Sequence, residues 1–401
     1  MNLAYYGVMA ALRGMATATS IVLWVVFLQQ QHGLTLTAVT LLDLPFWAGK
    51  FLFEIPTGVV ADRYGRKLSI AISMGMSSAI WLVFAFSNSF WMLAAAQFIG
   101  ALGATFSSGA DEALLFESVK ASGRQPEYAK LSGRMRAIET AAAMLFGMVV
   151  AVVATWNILL PVLFTALLYA LTIIPILMMK ETAPASIGSA GRGESEDEPK
   201  ENALSAGYAK IVRQAFSTLR DFPALRWAAA YLVVLSCVAF YASVFLQPYV
   251  LFLELPVAAL GPVMVLVQLM GIAGSLAVPH IQRAIGSTAI LYGAPALITA
   301  FLIAAGLRPS IPILAVLILA AFLFALAQPV LLAVLQDHAP DAVRATLLSI
   351  QSLLATVFLM ITEPGLGVLA DRFSVPAAYL GMAALIVIFL LPLVILRDQR
   401  K

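Results

Sequence analysis

Apolar runs of about 20 residues recur along this chain from its first residues to its last, separated by short polar breaks. Hydrocarbon offers no water to bare N–H and C=O groups, so a run of that length must close its hydrogen bonds within itself, as a helix. Hydrophobic residues make up 62% of the chain and charged ones 11%, with a mean hydropathy of +0.95. A water-soluble domain carries roughly a quarter charged residues, so this composition excludes one. The expected class is an all-α membrane protein.

The breaks place spans near residues 4–30, 37–60, 68–87, 90–118, 131–155 and 158–179, then 224–253, 257–280, 288–306, 310–336, 344–369 and 376–396. That makes twelve transmembrane helices in two six-helix bundles, residues 1–182 and 222–401. Residues 183–221 between them form a cytoplasmic linker, opening with the polar "APASIGSAGRGESEDEPKENALSAG". The linker ends in "YAKIVRQAFSTLR", which puts Tyr208, Ile211, Phe216 and Leu219 on one face and reads as an interfacial amphipathic helix. Met1 leads into the first apolar run without a basic segment or small-residue cleavage site, so the first helix is expected to serve as its own anchor.

Charge sets the orientation. With both termini cytoplasmic, 20 of the 24 Lys and Arg residues fall on the inner side, Arg308 and Arg372 fall outside, and Arg13 and Lys50 lie within helices. The positive-inside rule therefore predicts a multi-pass protein of the inner cell membrane. The net charge of +3 reflects this bias toward the lipid surface and calls for no nucleic-acid partner. No metal-ligand cluster and no G-x-x-x-x-G-K-[ST] loop occurs, and the lone Cys237 sits in an apolar helix as a packing residue. Neither an enzyme nor a cofactor is implied.

Charge is concentrated in "FLFEIPTGVVADRYGRK", residues 51–67, which carries Glu54, Asp62, Arg63, Arg66 and Lys67. Gly58 and Gly65 permit close approach and a sharp reversal, Asp62 can accept from a helix N-terminus, and Arg63, Arg66 and Lys67 suit an anionic leaflet. "GVVADRYGRK" resembles the G-x-L-A-D-R-x-G-R-K signature of the major facilitator superfamily, with Val60 where Leu is usual, and it stands after the second of twelve helices, as in that family. The resemblance points to the bacterial drug-efflux-like branch. It implies pseudo-two-fold symmetry between the bundles and a conformational latch of Gly58, Asp62, Arg63, Gly65, Arg66 and Lys67, with Glu117 at the inner end of helix 4 and with helix 11 near Arg344. The bare alternative is that the basic residues only hold the loop inside. The matching turn of the second half, "PHIQRAIGST", keeps Gly286 but has Arg283 in place of the acid. "GLGVLADRF", residues 365–373, falls on the outer face by this topology and does not count as a second copy. Helix 4 has no Arg ahead of Gly100, and helix 5 lacks a Gly-Pro-x-x-Gly-Gly pattern, two features associated with proton-coupled and antiport members.

Charges inside membrane helices cost about 2.5–3.5 kcal/mol each, which makes them functional candidates. Arg13 lies about 15 Å into helix 1 and shares a polar stripe with Thr17, Ser20 and Trp24, as expected of a substrate cavity. Lys50 and Glu54 are spaced to pair at i,i+4 beside Trp47. Asp43, nearer the outer end, can either titrate or reach interfacial water. Asp111 and Glu112 sit near the inner mouth, as proton or cation sites or as members of the latch network. Glu139 is the leading proton site, set either to alternate between a proton and Arg13 or Arg136, or to pair permanently with Arg136. In the second half Tyr241, Gln247, Gln268 and Gln328 are candidate substrate contacts, with Phe240 and Phe324 beside them. Pro248 and Pro329 are expected to interrupt their helices there.

These readings converge on a secondary active transporter, taken as a monomer, whose partners are a small-molecule substrate, protons and membrane lipid. Proton-coupled export of small amphiphilic or cationic compounds by alternating access leads. Alternatives are proton-linked or facilitated uptake of a polar or anionic metabolite held by Arg13, or a lipid flippase or transport-inactive sensor on the same scaffold.

Overall fold

The computed structural model describes residues 2–179, 223–337 and 344–398, with side chains described over 2–53, 65–179, 227–336 and 351–390. The linker with its amphipathic segment, Gly58, Asp62, Arg63, Glu54 and Arg344 therefore lie outside the described side chains.

The described residues are helical almost throughout. The first six spans are α1 (Asn2–His32), α2 (Leu36–Tyr64), α3 (Arg66–Phe86), α4 (Phe90–Ser107) continued by α5 (Ala110–Ala121), α6 (Tyr128–Ala154) and α7 (Leu159–Met178). The second set is α8 (Pro223–Phe252), α9 (Leu260–Leu307), α10 (Ile311–Asp337), α11 (Arg344–Arg372) and α12 (Val375–Asp398). At 48 residues α9 would run about 72 Å as one rod, more than twice the hydrocarbon thickness. It is divided at Gly286, whose φ of 81° and ψ of 158° no helix accommodates. Among the described residues ten helical segments are long and apolar enough to cross a membrane, α9 supplies two of the passes, and the shorter Val375–Leu390 follows, which together provide twelve.

Two expectations about helix continuity are corrected. Span 4 is not one helix from 90 to 118: the chain leaves α4 at Ser108, turns through Gly109 at φ 73°, and restarts as α5. Pro248 and Pro329, by contrast, lie inside helices that continue through them. Each proline removes a single backbone donor, and the adjoining turns are held by buried neighbours such as Gln247, Tyr249 and Val330.

The chain forms two compact units, Met1–Gly33 with Leu41–Glu198, and Leu34–Thr40 with Pro199–Lys401. In the first, α1 packs along α6 and α7, and α3 packs along α4 and α7. Its inner core brings Tyr6 and Met9 of α1 against Ile70 and Met74 of α3 and Leu114 of α5. In the second, α9 packs along α10 and α12, and α8 packs against α10, α11 and α12. Buried tyrosines knit it together: the Tyr231 hydroxyl donates to the Leu291 carbonyl, Tyr249 donates to that of Ala305 at 3.2 Å, and the rings of Tyr249 and Tyr379 meet edge to face at 4.9 Å. Leu145, Ile174, Leu276 and Ile361 stand exposed, as lipid-facing side chains of a membrane helix do.

Candidate functional site

Arg13 is the centre of a charged cluster in the first unit. Its Nε and Nη2 donate to the two carboxylate oxygens of Glu139 at 2.9 and 2.8 Å, a bidentate fork, while Nη1 reaches Asp111 Oδ2 at 2.5 Å. The Tyr6 hydroxyl donates to the other oxygen of Asp111. Exposure of the Arg13, Asp111 and Glu139 side chains is 17%, 16% and 28%, so the cluster is screened yet open to small species.

Local structure brings these groups together for identifiable reasons. Gly14, next to Arg13, lets α1 and α6 touch backbone to backbone: a Cβ there would lie 2.1 Å from the Glu139 carbonyl oxygen. The reversal at Gly109 puts Asp111 and Glu112 in the first turn of α5, where the helix dipole favours carboxylates. Tyr6 lies two turns before Arg13 and therefore on the same face of α1. Tyr169 of α7 lies within electrostatic range of Arg13 and Glu139.

The remaining candidates separate into different settings. Glu112 points away from Asp111 and pairs with Arg136, both well exposed. Arg136 is thereby the partner of Glu112, and Glu139 is the partner of Arg13. Glu117 pairs with Arg66, joining α5 to the start of α3, while Lys67 donates to the carbonyls of Leu177 and Met179 at 2.6 and 2.9 Å. Gly65, at φ 99°, makes the turn into α3. Asp43 is 7% exposed and accepts from Gln97 Nε2 of α4 at 3.0 Å, so it is enclosed and does not reach interfacial water. Lys50 Nζ lies 5.9 Å from the centre of the Trp47 ring.

Thr17 donates to the Gly14 carbonyl at 2.9 Å, and Trp24 packs edge to face on Phe84 and Trp81 at 5.0 and 5.9 Å, so the stripe running from Arg13 ends in packed aromatic rings. In the second unit Tyr241 is fully buried with its hydroxyl 2.5 Å from Thr362 Oγ1, and Gln247 is 3% exposed. Gln268 is half-buried and Gln328 exposed. Glu363, within α11, is completely buried. Tyr6 was not a sequence candidate; its seven-residue spacing from Arg13 was the available signal.

A family model described as Major Facilitator Superfamily matches residues 6–362. An uncharacterised transporter of that type from Bacillus subtilis (strain 168), YxaM, is 35% identical over 103 residues, a match spanning 26% of each chain. The nucleoside transporter NupG superposes with a TM-score of 0.78 at 12% identity, covering 98% of this chain and 99% of that one. A POT family transporter in complex with 5-aminolevulinic acid gives 0.76 at 12%, covering 99% and 96%. A bacterial homologue of the human lysosomal transporter Spinster gives 0.68 at 14%, covering 98% and 94%. At these identities the solved structures establish the fold, and the family match over most of the chain establishes kinship. The chain belongs to the Major Facilitator Superfamily.

Proposed function

We propose that the protein is a proton-coupled secondary transporter that exports small cationic or amphiphilic organic compounds by alternating access, with Arg13, Asp111 and Glu139 as its ion-coupling centre. The observation that carries this reading is the charge balance of the cluster. One guanidinium is shared by two carboxylates, so the group carries a net charge of −1 when both are ionised. Inside a membrane that charge is costly, and either a proton on one carboxylate or a bound cation neutralises it. Two neutral forms, one protonated and one cation-loaded, are what an exchanger of protons for cations requires.

Uptake of an anion clamped by Arg13 has less support, because Nε, Nη1 and Nη2 are all committed to carboxylate oxygens. The structural relatives supply the scaffold and not the cargo: one is a nucleoside transporter and another was solved with 5-aminolevulinic acid. Likeness to the drug-efflux-like branch is part of this proposal and is supported by the charge balance of the cluster.

The test uses the full-length protein in liposomes with an imposed pH gradient and a fluorescent organic cation. The expected result is gradient-driven accumulation that Glu139→Gln abolishes while cation–cation exchange persists. Gradient-driven accumulation at the unaltered rate in Glu139→Gln and in Asp111→Asn would overturn the assignment.

A further inference from the structure

Asp111 and Glu139 share one guanidinium, but their settings differ. Asp111 has a different donor on each oxygen: Arg13 Nη1 lies 2.5 Å from Oδ2, and the Tyr6 hydroxyl donates to Oδ1. Both hydrogen bonds to Glu139 come from Arg13, through Nε and Nη2. Asp111 is also the second residue of α5, where the open N–H groups and the helix dipole favour a negative charge, whereas Glu139 lies well inside α6. Glu139 is the more exposed of the two, at 28% against 16%.

Tyr6 is held in place to do this. It is 3% exposed and packed among Met9, Ile70, Met74 and Leu114. Its hydroxyl also stands 3.2 Å from the Asp111 backbone carbonyl, so both of its acceptors belong to residue 111, and an ionised oxygen takes the hydrogen in preference to a neutral one. A neutral Asp111 would have to set its own O–H against Arg13 or against Tyr6, both of which are donors there, and Tyr6 could yield only by falling back on the weaker carbonyl contact. A neutral Glu139 gives up one arm of its fork and keeps the other, with water in reach of the freed group.

We propose that Tyr6 is a positioning residue that holds Asp111 as the fixed carboxylate of the centre and so directs the exchangeable proton to Glu139, a reading that rests on the ion-coupling centre proposed above. On loading, the proton bonds to one Glu139 oxygen and breaks one N–H···O bond of the fork; on unloading, that oxygen gives the proton up and the fork closes. The surrounding groups do not compete for the role. Glu112 is turned to Arg136, Tyr169 of α7 hydrogen-bonds neither carboxylate, and α3 presents the apolar Ile70 and Met74 to Tyr6.

The experiment treats the full-length protein in liposomes with dicyclohexylcarbodiimide, which attacks protonated carboxyl groups, at acid pH, and maps the adducts by mass spectrometry against an alkaline background. The parent should carry adduct on Glu139 and little on Asp111. Tyr6→Phe keeps the ring and removes the hydroxyl, and should raise the ratio of Asp111 to Glu139 adduct about tenfold, while Tyr169→Phe leaves it unchanged. Access is followed separately by maleimide alkylation of Asp111→Cys with and without Tyr6→Phe, the parent giving the background from buried Cys237. Equal adduct on both carboxylates of the parent, an unchanged ratio in Tyr6→Phe, an equal shift in Tyr169→Phe or a matching rise in Asp111→Cys alkylation each overturns the proposal. So does failure of Tyr6→Phe to fold, which would make the hydroxyl a structural tie. Proton-driven cation flux in the same liposomes separates the two readings: flux with an unchanged ratio removes the role of Tyr6 alone, whereas the expected adduct pattern without flux removes the transport reading.

Discussion

Arg13 is a cation between two anions, and that arrangement makes it hard to replace. Truncating it to Leu leaves Asp111 and Glu139 facing each other in a screened site, which costs about 3–5 kcal/mol by analogy with broken buried ion pairs. Melting of the detergent-solubilised protein should show that loss, and adding Asp111→Asn and Glu139→Gln to Arg13→Leu should recover most of it while leaving transport dead. A smaller effect belongs to Gln97, whose amide donates to buried Asp43: Gln97→Leu is expected to cost about 1–3 kcal/mol in the same assay. Arg13, Asp111 and Glu139 were all recognisable in the sequence because a charge inside an apolar run is expensive. Their pairing was not. Spacing allowed Glu139 to choose Arg13 or Arg136, and it grouped Asp111 with Glu112; the fold sends Glu139 and Asp111 to Arg13 and leaves Arg136 to Glu112.

Helices α1 and α6 carry the site because they cross at Gly14. An alanine there would drive its Cβ into the Glu139 carbonyl, so Gly14→Ala should separate the helices and lose several kcal/mol, read as a sharp fall in folded yield and melting temperature. Gly109 works differently: its positive φ is unfavourable for any L side chain, and Gly109→Ala should cost about 1–2 kcal/mol while disturbing the aim of Asp111. Hydropathy located these elements well and their interruptions poorly. Prolines 248 and 329 looked like breaks and are not, because packed helices tolerate one missing donor; Ser108–Gly109 looked continuous and is a break, because hydropathy does not sense a backbone angle. The same limit concealed the burial of Glu363, which packing encloses completely.

At the scale of the molecule, the basic residues make a topological prediction that the helices alone do not: reporter fusions after residue 401 and within 183–221 should register as cytoplasmic, and fusions in the 87–89 and 308–310 turns as external. Arg66 and Glu117, the ion pair that joins the start of α3 to α5, offer a second test. Reversing either charge should impair transport, and the Arg66→Glu, Glu117→Arg double variant should restore it if the pair matters as a pair. The class, the twelve passes and the family turn at residues 58–67 were legible from residue order because the bilayer imposes one length, one kind of secondary structure and one charge asymmetry on every span. Which charges meet was settled elsewhere. Arg13 with Glu139 and Asp371 with the start of α2 join residues 126 and about 335 positions apart, and such contacts depend on glycine-mediated helix crossings. Periodicity along one helix carries the depth and face of a residue but no record of the neighbour it will find there.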